Sequence, residues 1–163
     1  MRYHIFSLIL FTITVNSVAQ AQGAVFLIRH AEQMHDVEDP PLTDDGLNRA
    51  KAWASIFRDA DIDVIYTSKK IRTKQTGAAI AEELNLPSKA MPRSDINGLV
   101  NLVRKEHSDE VVLIVSHSKI VPRLVEAFAP FAEVPAIEPG DYDNLYVIVP
   151  KGEDDTTVLR LRY

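Results

Sequence analysis

Ala24-Val25-Phe26-Leu27-Ile28-Arg29-His30-Ala31 is the stretch whose reading decides the fold. Five apolar residues in a row read as a buried strand. An arginine and a histidine follow at once, where the strand gives way to a loop. In open α/β sheets ligands bind at the carboxyl ends of the strands. A guanidinium fork there is shaped to hold a phosphate, and an imidazole can act as a nucleophile.

Working outward, strand-like and helix-like segments alternate. Thr43 suits the N-cap of a first helix, with Asp44 and Asp45 at the positive end of its dipole. Leu47, Ala50, Ala54 and Phe57 recur at helical spacing and predict its buried face. Val64-Ile65-Tyr66 predicts a second strand and Ile71 to Leu84 a second helix, closed near Asn85 and stopped by Pro87. Ala90-Met91 marks a weak strand, and Asn97 to His107 a third helix. Val111 to Val115 is the clearest strand, apolar throughout as in a strand covered on both faces. Val121 to Phe128 predicts a fourth helix. Tyr142 to Val149 and Thr157 to Leu161 predict late strands around a turn at 151–155. This order predicts an α/β three-layer sandwich, a mainly parallel central sheet with helices on both faces.

Three strand ends then fall on one edge of the sheet. One brings Arg29 and His30, the next leads to Arg72 in the first turn of a helix, and another brings Ser116-His117-Ser118. Two guanidinium forks can each grip two phosphate oxygens. One imidazole attacks phosphorus while a second adds positive charge where the transition state needs it. Ser116 and Ser118 lie outside any Gly-x-Ser-x-Gly elbow, which excludes that serine-hydrolase arrangement. His35 and His107 are assigned to solvent, with His35 in the loop over the mouth. Asp141 and Asp143 are assigned to turns or caps, and Glu82-Glu83 to a solvated helix face.

Phe26-Leu27-Ile28-Arg29-His30-Ala31-Glu32 resembles the signature of the histidine phosphatase superfamily, also called phosphoglycerate-mutase-like. So do Leu42-Thr43-x-x-Gly46-x-x-Arg49-Ala50, Ser68-x-x-x-Arg72-x-x-Gln75-Thr76 and Val115-Ser116-His117-Ser118. The blocks stand in the family's order. The resemblance implies His30 as the phosphorylated nucleophile and Arg29, Arg72 and His117 as the phosphate pocket. It implies neither a metal nor another cofactor. Ala31 stands where many members have glycine, which resembles the small bacterial branch of phosphohistidine phosphatases. Ser118 stands where the acid-phosphatase branch has an aspartate after its second histidine. The proton donor must come from elsewhere. Asp95, after the weak third strand, and Glu32 are the candidates, Glu32 also as a substrate contact.

Length and composition bound the rest. The 163 residues suit one domain, with 46% hydrophobic residues for a core. Residues 1–21 have the layout of a secretory signal: Arg2, an apolar run from Ile5 to Val15, then small residues. Cleavage is expected before Gln22, with a cut before Gln20 as the alternative, leaving 22–163 as the phosphatase domain. The apolar run falls short of the roughly 20 residues a spanning helix needs. There is no cysteine to carry a lipid, so no stable membrane anchor is expected. The net charge is −5, and −6 once Arg2 is set aside, which gives no general attraction for nucleic acid or anionic membranes. The expectation is a periplasmic or secreted enzyme acting on a phosphorylated small molecule or envelope component. A cytosolic location would favour protein phosphohistidine as substrate. A module that holds phosphate without turning it over is the reading from another class. The sequence leaves oligomeric state open.

Overall fold

The computed structural model describes residues 23–151 and 155–163. The signal expected at 1–21 and the centre of the turn expected at 151–155 lie outside the described residues. Ten elements follow in the order β1 (Ala24–Arg29), α1 (Asp44–Ile56), β2 (Val64–Ser68), α2 (Ile71–Leu84), β3 (Ser88–Met91), α3 (Ile96–Glu106), β4 (Val111–Ser116), α4 (Val121–Phe128), β5 (Asn144–Pro150) and β6 (Thr156–Arg162). They form one six-stranded sheet ordered β3-β2-β4-β1-β5-β6. The first four of these strands run parallel, and β5 and β6 close the sheet antiparallel.

Side-chain alternation along the strands feeds two cores. Leu27, Tyr66, Val112 and Ile114 point to the face covered by α3 and α4. Ile28, Ile65, Leu113 and Val115 point to the face covered by α1 and α2, where Trp53 and Phe57 pack. The three-layer sandwich is therefore present, and β4 is apolar throughout because both its faces are covered. Among the described residues no helix is long and apolar enough to cross a membrane.

The helix ends explain how the loops above the sheet are held. Thr43 caps α1, its hydroxyl accepting from the Gly46 N–H at 3.1 Å. Lys70, at the N-cap of α2, has no side chain able to do this. Instead Asp39, from the loop after β1, accepts from the Ile71 N–H at 3.3 Å. This satisfies one of the unpaired donors of a helix start and ties that loop to α2. Asn85 ends α2 in the left-handed conformation, φ 53°, as a helix C-terminus favours.

Three expectations need correction. Leu47 is 41% exposed, because Gly46 one residue earlier is the position pressed against the β1–α1 loop. Trp53, fully buried, fills the helix stripe instead. His107 does not face solvent: it bridges the buried Tyr66 hydroxyl at 2.9 Å and the Glu110 carboxylate at 2.5 Å. Tyr142 lies before β5, leaving its ring free to sit over the sheet edge. Asp141 closes a turn as expected, its N–H donating to the Glu138 carbonyl at 3.0 Å, and its carboxylate with that of Asp143 also clasps Arg162 of β6.

Candidate active site

The carboxyl ends of β1 and β4 are neighbours in register, Arg29 beside Ser116. The His30 N–H donates to the Ser116 carbonyl at 2.9 Å, which carries the pairing one residue past the strand. His30 and His117 thus face each other with ring centroids 5.3 Å apart. Arg72 enters from the first turn of α2 and touches both rings. Its Nε–H donates to His30 Nε2 at 3.1 Å and its Nη2 to His117 Nδ1 at 3.3 Å. The structure therefore brings together the four residues expected from the sequence, with His30, Arg29 and His117 all buried.

Hydrogen-bond chemistry fixes the His30 tautomer. Nδ1 lies 2.8 Å from the Ala31 carbonyl, which can only accept, so Nδ1 carries the proton. Arg72 can only donate, so Nε2 keeps its lone pair. Both partners demand the same form. Burial pushes the His30 pKa down to about 4; the Ala31 bond opposes the shift, and Arg29 and Arg72 add to it. Burial likewise lowers His117 to about 3, reinforced by His30, Arg72, Arg93 and Arg29. Both imidazoles are neutral at neutral pH, as a nucleophile requires.

Arg29 is held by the loop that precedes β5. Its Nη1 donates to the carbonyls of Glu138, Pro139 and Asp141 at 2.8–3.1 Å. Its guanidinium stacks 4.0 Å from the Tyr142 ring centre. Its Nε is buried with no partner, a donor whose desolvation has no compensation unless an acceptor arrives. Burial is also the main cause lowering the pKa of both Arg29 and Arg72. A pocket with two desolvated guanidinium groups, and a donor left over, suits an anion.

The other motif residues build the walls. Glu32 Oε1 accepts from Arg49 Nε at 2.7 Å, while its Oε2 is buried with no partner. The Thr43 N–H donates to the Glu32 carbonyl at 3.0 Å. A Cβ on Gly46 would stand 2.1 Å from that same carbonyl oxygen, so α1 can approach only without a side chain there. Gln75 Oε1 accepts from the Leu42 N–H, and Thr76 Oγ1 from the Ala31 N–H. The motif spacings around Leu42 and Ser68 thus supply clamps on the loop that carries His30.

The two acid candidates sit differently. Glu32 faces Arg49. Asp95 is exposed and caps α3, Oδ1 accepting from the Gly98 N–H at 3.0 Å, and it makes no hydrogen bond to the four pocket residues. The carboxylate that does reach them is Asp39, 3.5 Å from Arg72 Nη1. Its role, and those of Ser68 and Tyr142, escaped sequence reasoning. The signal for Ser68 was its place at the head of the Ser-x-x-x-Arg spacing, and for Asp39 its position before Pro40-Pro41.

Comparison with known proteins follows the geometry. Residues 25–95 match the model of the histidine phosphatase superfamily, branch 1. Among curated protein sequences none matches. The protein histidine phosphatase SixA, solved with tungstate, superposes with a TM-score of 0.73 at 20% identity, covering 85% of this chain and 96% of that one. A mycobacterial glucosyl-3-phosphoglycerate phosphatase gives 0.67 at 13% identity, over 86% and 97% of the two chains. At these identities the superpositions establish the shared fold. The matched segment, which carries Arg29, His30 and Arg72, is thus similar to the histidine phosphatase superfamily, and the chain as a whole has the fold of these phosphatases.

Proposed function

We propose that this protein is a phosphoric monoester hydrolase that passes the phosphoryl group through His30. The observation that carries this reading is the His30 imidazole locked with its Nε2 lone pair against Arg72, beside a buried and unpartnered Arg29 Nε. A phosphate entering here takes over the Arg72 donors and meets Arg29 Nε. His30 Nε2 attacks phosphorus, forming a P–N bond as the P–O bond to the leaving group breaks and that oxygen takes a proton. Water then attacks phosphorus, the P–N bond breaks, and inorganic phosphate leaves. Positioning and charge supply most of the rate in such transfers.

The sequence candidates for the proton donor are Asp95 and Glu32. Each holds one oxygen in another bond, Asp95 Oδ1 at the cap of α3 and Glu32 Oε1 at Arg49, so a proton would be carried on the second oxygen. Hydrolysis of a chromogenic phosphomonoester by wild type and by His30→Ala tests the nucleophile. The reading expects turnover only in the first; equal rates in both overturn it.

The pattern in residues 1–21 supports export, and with it a substrate among phosphorylated small molecules or envelope components. Fractionation should place the protein outside the cytosol, with a mature chain beginning at Gln22 or Gln20. A second reading, protein phosphohistidine as the substrate, gains from the Asp95 geometry. A P–N bond to imidazole breaks with less acid assistance than a P–O bond to an alcohol, and among the described residues Asp39 is the acid bonded to the pocket residues. Recovery of the full-length chain in the cytosol, with phosphohistidine hydrolysed faster than phosphomonoesters, selects that reading.

A further inference from the structure

His30 is fixed by its own neighbour's backbone; His117 is fixed by something else. Its Nε2 lies 2.9 Å from the Ser68 hydroxyl at the end of β2. Ser68 Oγ also accepts from the Lys70 N–H at 3.2 Å and lies 2.7 Å from Thr73 Oγ1. Thr73 in turn donates to the carbonyls of Lys70 at 2.8 Å and Ser68 at 3.0 Å. Ser68 is 5% exposed, Thr73 0% and His117 6%.

The neighbours of this chain favour one direction for its protons. Thr73 has one hydroxyl hydrogen and two backbone acceptors for it, so its oxygen receives the Ser68 hydrogen. Ser68 then has lone pairs left to accept, one from Lys70 and one from His117 Nε2–H. At the far side of the ring, Arg72 Nη2 can only donate and so favours the same tautomer, with Nδ1 accepting. The opposite tautomer sets two N–H groups against each other at Arg72. It also asks Ser68 for a hydrogen already given to Thr73. In a buried site such a mismatch is costly.

We propose that Ser68, backed by Thr73, is a positioning residue that holds His117 as the Nε2–H tautomer, with Nδ1 reserved for the substrate phosphate. The proposal rests on the phosphatase reading for what Nδ1 meets. A phosphomonoester monoanion brings its own proton, since its second ionisation lies near pH 6. The P–OH donates to Nδ1. When charge moves toward the leaving group that O–H bond breaks and an Nδ1–H bond forms. The products are a phosphoryl dianion and an imidazolium whose Nε2–H still rests on Ser68. The Ser68–Thr73 pair moves no proton; it selects which nitrogen is available to take one.

The test uses the folded full chain with ¹⁵N-labelled histidine. Long-range ¹H–¹⁵N spectra report which nitrogen of His117 is protonated, and activity is read separately on a chromogenic phosphomonoester. Wild type should show His117 protonated at Nε2. Ser68→Ala, which leaves Nε2–H without a buried acceptor and only Arg72 to favour it, should raise the Nδ1–H share of His117, keep the His30 tautomer and lower kcat about tenfold, less than the roughly 10²–10⁴-fold of a full general acid–base contribution because His117 itself stays. Ser68→Thr should restore both. Thr73→Val, which frees the Ser68 hydrogen to turn toward His117, should move the population toward Nδ1–H and serves if Ser68→Ala does not fold. Folded Ser68→Ala and Thr73→Val proteins that keep the wild-type His117 tautomer overturn the proposal. Failure of the phosphatase reading shows separately, as a wild type that hydrolyses no phosphate yet has its His117 tautomer set by Ser68.

Discussion

The two histidines stand side by side at the ends of paired strands, yet they are held in opposite ways. His30 is fixed from within its own loop, through the Ala31 carbonyl, and turns Nε2 to the pocket. His117 is fixed across the sheet, through Ser68 on β2, and turns Nδ1 to the pocket. Arg72 meets both reactive nitrogens. Similar burial and shared arginine neighbours therefore do not make equal residues. The bond on the far nitrogen decides which face of the ring does chemistry.

The largest break in that comparison is His30→Ala. On the proposed mechanism it removes the group that forms the covalent bond, and steady-state kinetics should show kcat lower by about 10⁴-fold or more. His117→Ala removes only a stabilising contact, and the same assay should show a loss of about 10²- to 10³-fold. Equal losses in the two variants contradict the assigned difference in role. Arg72→Lys keeps the charge but cannot supply three separately directed donors. A fall of about 10²-fold in kcat/KM is expected.

Acid sharpens the comparison. Both pKa values are lowered, to about 4 for His30 and about 3 for His117. The unfolded chain, with histidines near 6.5, takes up protons first as the pH falls. The stability conferred by neutral burial is complete above about pH 6.5 and drains away as the pH drops through the folded pKa values. Denaturant midpoints measured from pH 7 down to pH 4 should fall, and the His30→Asn/His117→Asn double variant should show a flatter profile. In the same range kcat/KM should hold until the pH nears 4, where His30 Nε2 gains its proton.

Gly46→Ala probes the clamp on the His30 loop. With the new Cβ set against the Glu32 carbonyl, overpacking of about 1–3 kcal/mol is expected in chemical denaturation. The smallest effect is predicted for Asp95→Asn. Asparagine caps a helix as well as aspartate does, so stability and kcat should both stay within about twofold. A large loss of kcat on alkyl phosphates with little loss on nitrophenyl phosphate instead identifies Asp95 as the proton donor.

Element order and the meeting of Arg29, His30, Arg72 and His117 at one sheet edge were legible because each has a local mark. Apolar runs such as Val111 to Val115 announce buried strands, and a charged residue just past such a run announces the functional edge. What was not legible depends on contacts between distant positions. Ser68 reads as an ordinary strand end until β2 and β4 pair and bring it to His117, 49 residues away. Asp39 reads as a loop acid until it caps α2, whose own Lys70 cannot. Glu32 and Arg49 carry no sign of each other, although their pairing explains why both stand in the motif. Leu47 and His107 misled for a related reason. Helical spacing shows that a face exists, while Gly46 against the Glu32 carbonyl decides which face turns inward. A histidine at a helix end is solvated only if no buried Tyr66 hydroxyl waits beneath it.

The central claim is a phosphoryl group on His30 Nε2. Rapid acid-free quench of the wild-type enzyme during turnover of a ³²P-labelled phosphomonoester tests it most directly. The account predicts protein-bound label that is stable to base, lost in acid, mapped to the peptide containing His30 and absent in His30→Ala. Label on another residue, or steady turnover with no protein-bound label at any quench time, contradicts it.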